Sequence, residues 1–154
     1  MTARAALVAT ALAGALVPAA GCSLVPDVGP RLAGTCDDSD GHPGKPVSFS
    51  SDIHPLIFRF PGGCGCHLPT PNGDGVGTQL SGLNLSSLAT LRMGGINSGT
   101  RVIVAGEPCS SLMYQKLSDA PPFGSRMPLN GPPFWTTDEL QLLHDWIAEG
   151  ANDN

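Results

Sequence analysis

The sequence predicts a small, loop-rich, all-α domain, and three observations predict it. A chain of 154 residues builds one compact domain and little else. Apolar residues recur at helical intervals near the C-terminus, while no segment alternates apolar and polar residues as a half-buried strand does. The 20 glycines and 15 prolines, about 23% of the chain, fall just short of low complexity and cut the remainder into short pieces. Hydrophobic residues at 41% still supply a core. With 8 basic and 13 acidic side chains the net charge is −5, and no basic cluster exists to neutralise phosphates. Aromatic residues at 5% offer no base-stacking surface either. These features exclude a nucleic-acid partner.

Residues 1–21 are expected to be an address and not part of the fold. Arg4 precedes an uncharged apolar run over residues 5–20, too short to span a bilayer comfortably and suited to a secretory signal. The run ends in Ala19-Ala20-Gly21-Cys22, which resembles a bacterial lipobox with Cys22 as the lipidated first residue of the mature chain. An ordinary signal peptide cut near Ala20 is the alternative. Ser23 follows Cys22, where aspartate is associated with inner-membrane retention, so the expected place is the periplasmic face of the outer membrane. Residues 22–45 then read as a tether. Seven Gly or Pro residues and four aspartates, without apolar periodicity, bury too little surface to offset the entropy of ordering. Cys36 within it is expected to pair with another cysteine in an oxidising compartment.

The folded domain is expected over residues 46–154. Asp52 is placed to cap a short helix through Ile53, Leu56 and Ile57, with Pro55 in its first turn. Pro61-Gly62-Gly63 breaks that helix, and residues 68–82 read as a loop on their turn residues. Ser86 or Ser87 caps a helix from Leu88 to Met93, and residues 108–117 form another with Leu112, Met113, Lys116 and Leu117 on one face. The last helix has the clearest pattern. Thr136-x-x-Glu139 has capping-box spacing, Leu140, Leu143, Trp146 and Ile147 form the stripe, and Gly150 ends it.

Chemistry concentrates in Cys64-Gly65-Cys66-His67. A Cys-x-x-Cys-His run attaches c-type haem, two thiols forming thioethers while the histidine ligates iron. Here the spacing is one residue shorter. On spacing alone three readings stand: haem attachment, structural thiols with an incidental His67, or a zinc or copper site from Cys64, Cys66, His67 and Cys109.

The flanking sequence resembles that of planctomycete-type cytochrome c domains. Phe49, Asp52, Ile53, Pro55 and Leu56 are similar to the family's approach helix, and Leu83-x-Leu85 to the pair that follows its haem motif. Val104, Gly106, Pro108, Ser111, Leu112 and Tyr114 match a further segment, with Ala105 where proline is usual. Arg126-Met127-Pro128 resembles the ligand loop, and Trp146-Ile147 with Gly150-Ala151 the terminal helix. The resemblance covers about residues 49–151 and implies a cytochrome c-like fold and haem c as cofactor. It also implies one-electron transfer with an unidentified redox partner protein, and no enzymatic activity. Cys64, Cys66 and His67 are then the attachment residues, with His67 and Met127 as the iron ligands. Because Cys64 is displaced from the family's position, one thioether through Cys66 is expected. Cys64 is then free to form a disulfide, with Cys109 preferred over Cys36.

Other candidates read as structure. Met113 and Met93 sit at core-like helical positions. His144, His54 and His42 are expected at the surface, as are Asp119, Asp145 and Glu149, and Trp146 and Tyr114 in the core. No carboxylate pair or nucleophile–base spacing suggests a hydrolase. The alternative from a different class is a haem-free exported lipoprotein, held by disulfides among Cys36, Cys64, Cys66 and Cys109 and serving as a binding or structural module.

Overall fold

The computed structural model describes residues 36–119 and 121–154; Cys22 and the candidate export segment lie outside them. Helix makes up 42% of the structure and strand 3%, so the domain is small, mostly helical and loop-rich as expected.

The domain begins with a wide π-type turn, Phe49–Ile53, that runs directly into α1 (His54–Phe58). Its cap is Ser48, not Asp52. The Ser48 hydroxyl accepts from the Ser51 amide, and Asp52 Oδ2 reaches back to accept from the Ser48 amide at 2.8 Å. Asp52 therefore supplies the reciprocal half of a box-like start that lies one turn earlier than expected. A tight 3-10 turn at Gly65–His67 carries the cysteine–histidine motif. Residues 68–82 are more ordered than their turn residues suggest. Two-residue strands β1 (Pro69–Thr70) and β2 (Gly73–Asp74) pair antiparallel, and α2 (Val76–Ser81) follows. In α2 only Thr78 is buried, so there is no apolar stripe for periodicity to find.

The helix α3 (Leu88–Met93) starts at Ser87, whose hydroxyl and that of Thr90 each accept the other's backbone N–H. The helix expected over residues 108–117 is split. A 3-10 turn at Pro108–Ser110 gives way to extended Ser111, and α4 (Leu112–Leu117) begins after it. Ser111 is fully buried; its hydroxyl accepts from the Val104 amide at 2.8 Å and donates to the Glu107 carbonyl at 3.0 Å. Serving the neighbouring loop takes it out of the helix. The helix α5 (Thr137–Ala148) opens on the expected Thr136–Glu139 box.

The core gathers around α5, where Leu143, Trp146 and Ile147 are buried with Ile53, Ile57 and Leu91. The rings of Phe49 and Trp146 meet with centroids 5.5 Å apart. Both Trp146 Nε1 and the Phe49 amide donate to the Asn152 carbonyl, at 2.7 and 3.3 Å, which ties the domain's two ends together. Met113 is buried as expected, but Met93 is 69% exposed. Leu91 takes the buried face of α3, and a residue two positions on points the other way round the helix.

Four further expectations are corrected together. Residues 36–45, expected as mobile tether, lie against α5 and the Pro108–Ser110 turn. The disulfide joins Cys36 to Cys109, not Cys64 to Cys109. Asp38 Oδ1 accepts from the Cys109 amide at 2.9 Å. His144 is thereby buried instead of exposed, its Nε2 donating to the Asp37 carbonyl at 2.5 Å. Asp145 is buried as well, accepting from the Gly41 amide at 2.9 Å, His42 Nδ1 at 2.6 Å and Gln141 Nε2 at 2.7 Å. Without periodicity, a polar segment that is fastened looks the same in sequence as one that is free.

Candidate functional site

The 3-10 turn that presents Cys66 and His67 is fixed from both sides. The Cys64 amide donates to the Ile57 carbonyl at 2.8 Å, and the His67 carbonyl accepts from Leu85 at 3.0 Å. Gly63 permits the first contact, because a Cβ there would meet the Arg59 and Ile57 carbonyl oxygens at 2.3 and 2.6 Å. Leu85 is the second leucine of the Leu83-x-Leu85 pair, so that motif braces the histidine turn.

His67 is half-buried, and its Nδ1 lies 3.3 Å from the Leu83 carbonyl. A carbonyl can only accept, so Nδ1 carries the proton and Nε2 is left with its lone pair free. Burial pushes the imidazole pKa down, against a smaller opposing effect of the Leu83 hydrogen bond. The ring is therefore neutral at neutral pH, the form a metal requires. The Nε2 edge faces Gly77 of α2, where a Cβ would lie 2.9 Å from both Nε2 and Cε1. Space beside the candidate ligand atom thus depends on a missing side chain.

His67, Cys64, Cys66 and Met127 all line one cavity of about 340 Å³. Its walls are almost wholly apolar, with Leu83, Leu85, Val102, Met113 and Leu117 among the lining residues. Val76, Leu80 and Leu129 also line it while remaining 57%, 78% and 71% exposed. Such a volume and lining suit a hydrophobic group of cofactor size. Cys64 and Cys66 are free thiols of different character. Cys66 is exposed, whereas Cys64 is buried and its pKa is pushed up to about 12 by burial, with Arg59 opposing and Cys66 reinforcing. Cys64 is a protonated thiol at neutral pH. Cys109 is held in its disulfide with Cys36, so the four-ligand zinc or copper set that included it is not assembled.

Met127 reaches the cavity from a loop that α4 holds in place. Its amide donates to the Lys116 carbonyl at 2.7 Å, and Lys116 Nζ donates to the carbonyls of Phe123 and Ser125 at 2.7 and 2.5 Å. Arg126 anchors the same loop, donating to the Leu117 carbonyl at 3.0 Å with its guanidinium over the Phe134 ring at 4.4 Å. Met113 lines the cavity too, from the buried face of α4, while Met93 is not among its lining residues. His54 and His42 stand apart from it: His54 Nε2 lies 3.2 Å from the Ser86 carbonyl, and His42 is half-exposed against Asp145. Gly77, the Leu83 carbonyl and Lys116 escaped sequence reasoning, since they act through space or backbone and carry no motif of their own.

No protein-family model, no curated protein and no solved structure matches this chain.

Proposed function

We propose that the domain is a c-type cytochrome that carries one electron at a time at the bacterial cell envelope. The observation that carries this reading is the convergence of His67 and Met127, 60 residues apart in sequence, on one apolar cavity also lined by Cys64 and Cys66. The donor set fits the group: a neutral imidazole with a free Nε2, a thioether from a second loop and two thiols, all lining the same cavity. Haem iron, when bound, supplies the one-electron couple. The chain's own residues supply the rest.

His67 would hold the iron through Nε2, its ring oriented by the Leu83 carbonyl. Met127 offers its sulfur from a loop pinned by Lys116 and Arg126, and a thioether ligand raises the reduction potential. Cys66 would attach the group covalently, while Cys64 lines the cavity as a neutral thiol. The apolar walls would favour the less charged, reduced state of a bound haem. Exposed Val76, Leu80 and Leu129 at the cavity would be partly covered by a bound hydrophobic group. What they leave open is the surface through which a redox partner protein would approach. Cys22, by this reading, carries the lipid anchor that keeps the domain on the periplasmic face of the outer membrane.

The test is the absorbance spectrum of protein matured in cells competent for c-type haem attachment. A Soret band with reduced α and β bands is expected. The pyridine haemochrome α band should lie to the red of the two-thioether position, and acid–acetone should extract haem from Cys66→Ala but not from the parent. Protein from such cells without haem would favour the disulfide-held binding module instead. Separately, Cys22→Ala should move the protein from the membrane to the soluble periplasmic fraction; unchanged fractionation would remove the anchor.

A further inference from the structure

Away from the cavity, a buried histidine stands beside the disulfide. The sulfurs of Cys36 and Cys109 and a ring nitrogen of His144 all lie within 4.8 Å of one another. Cys109 and His144 are more than nine-tenths buried, and Cys36 is partly open to solvent. The His144 ring has one nitrogen to spare. Nε2 donates to the Asp37 carbonyl at 2.5 Å, which leaves Nδ1 as the nitrogen without a hydrogen-bond partner. Nδ1 is buried, and Asp145 Oδ1 lies 3.5 Å from it. Buried polar atoms are rarely left in that state unless they have other work.

We propose that Cys36, Cys109 and His144 form a second site, gated by thiol oxidation, that binds a thiophilic cation such as Zn²⁺ or Cu⁺ once the disulfide is reduced. As a disulfide the sulfurs offer no thiolate, and the site is closed. A dithiol reductant opens it. Two electrons and two protons pass to Cys36 and Cys109, the S–S bond breaks, and the reductant leaves as its own disulfide. The cation then displaces the two thiol protons to water and bonds both sulfurs and a nitrogen of His144. Two cysteines and one histidine leave a fourth, open position on a tetrahedral ion.

The three ligands stay together without the S–S bond, because the chain beside Cys36 is fastened independently of it. The Asp37 carbonyl holds the His144 ring, Asp38 Oδ1 holds the Cys109 amide, and Gly41 and His42 both donate to Asp145 on α5. Opening a disulfide to the spacing of two sulfurs on tetrahedral zinc takes a shift of about 1.7 Å. Cys36, the more exposed of the two, is the one placed to make it. None of the cavity residues belongs to this site, so it stands or falls apart from haem binding.

The full chain, as the disulfide and after reduction with dithiothreitol and anaerobic desalting, is titrated with Zn²⁺ against a chromophoric chelator. Reduction should add about one equivalent of tightly held zinc, and reoxidation should release it. Cys36→Ser and His144→Gln should each lose that equivalent, and Cys64→Ser should keep it. Glutamine retains an N–H for the Asp37 carbonyl, and an unchanged far-ultraviolet circular dichroism spectrum separates lost ligation from unfolding. Cobalt in the reduced parent should show a thiolate charge-transfer band, a readout that needs no variant. No gain of zinc on reduction, a gain that survives His144→Gln, or one that disappears with Cys64→Ser would overturn the proposal.

Discussion

Gly77 is where the candidate ligand is most sensitive to a single methyl group. A Cβ there would lie 2.9 Å from His67 Nε2 and 2.8 Å from the Cys66 carbonyl, and the carbonyl cannot swing aside as a flexible side chain would. Gly77→Ala should lower haem content in matured protein by about tenfold, as supporting residues of metal sites commonly do. Its stability cost should be about 1–3 kcal/mol, the usual range for overpacking. The haem-to-protein ratio and the urea midpoint measure the two separately. The methionines make a second comparison. Met127→Ala should abolish the weak sulfur-to-iron band at the red end of the visible spectrum and lower the reduction potential, with haem retained. Met113→Ala should keep the band and cost about 2 kcal/mol, the low end for such a truncation, because that side chain already borders a cavity. A band lost with Met113→Ala and kept with Met127→Ala would reverse the ligand assignment. Cys64 gives a pH test in the haem-free chain. Its folded pKa of about 12 lies above the ordinary thiol value of 9.0, so the folded state holds the proton longer than the unfolded state does. The resulting stability is complete below pH 9 and is lost as pH rises toward 12, by up to about 1.4 kcal/mol per unit. Urea midpoints of the parent should fall faster over that range than those of Cys64→Ser. Cys64, Cys66, His67 and Met127 were legible because cysteine, histidine and methionine announce their chemistry. Gly77 and Ser111 were not, since an absent side chain and a backbone-serving hydroxyl look like any loop residue.

At the scale of elements, legibility followed the size of the apolar face. The long stripe and capping box of α5 stated the helix in full, and the serines before α3 narrowed its start to Ser86 or Ser87, of which Ser87 is the cap. The six residues of α2 bury only Thr78, and no pattern marks them. The split at Ser111 was hidden for another reason: one buried hydroxyl binding Val104 and Glu107 overrode an otherwise helical run. The start of α5 also locks α1. Glu139 accepts from the Thr136 amide and pairs with Arg59 just beyond α1, beneath the turn that carries the cysteines. Burial pushes the Glu139 carboxyl up, but its bonds to Arg59 and Thr136 outweigh burial and hold it below the usual value. Thr136→Ala should therefore cost about 1 kcal/mol in urea unfolding, the usual worth of a cap. Glu139→Gln should cost less at acid pH than at neutral pH. The sign follows from the lowered folded pKa: this stability is present above the unfolded value and fades as pH falls through the folded one. Equal losses for Glu139→Gln at pH 3 and pH 7 would remove the charge from the account.

Across the whole molecule, the two ends of the described chain are drawn onto α5 by separate means. Residues 47–49 and 152–153 meet beside Trp146 through backbone and carboxylate hydrogen bonds, whereas residues 36–45 are joined by the disulfide. The first junction was half-visible, because the aromatic and tryptophan positions share the core. The second was invisible, since pairing among four cysteines does not follow from their spacing. Its energetic weight does follow from the separation of 73 residues between Cys36 and Cys109. Cross-linking a loop of that size removes unfolded-state entropy worth about 4 kcal/mol at 25 °C on the loop-closure estimate. The hydrogen bonds of Asp37, Asp38, Gly41 and Asp145 do not involve the sulfurs, so cutting the bond should cost the folded state little else. Cys36→Ser and Cys109→Ser should each lower stability by about 2–4 kcal/mol, within the usual range for a native disulfide. The double variant should lose no more than the worse single one, because both remove the same bond. Unfolding the parent in urea with dithiothreitol should reproduce that loss, with an increased slope as the unfolded chain expands. A parent whose midpoint ignores the reductant, under conditions where mass spectrometry shows both thiols free, would mean that the hydrogen bonds to α5 alone hold residues 36–45 in place.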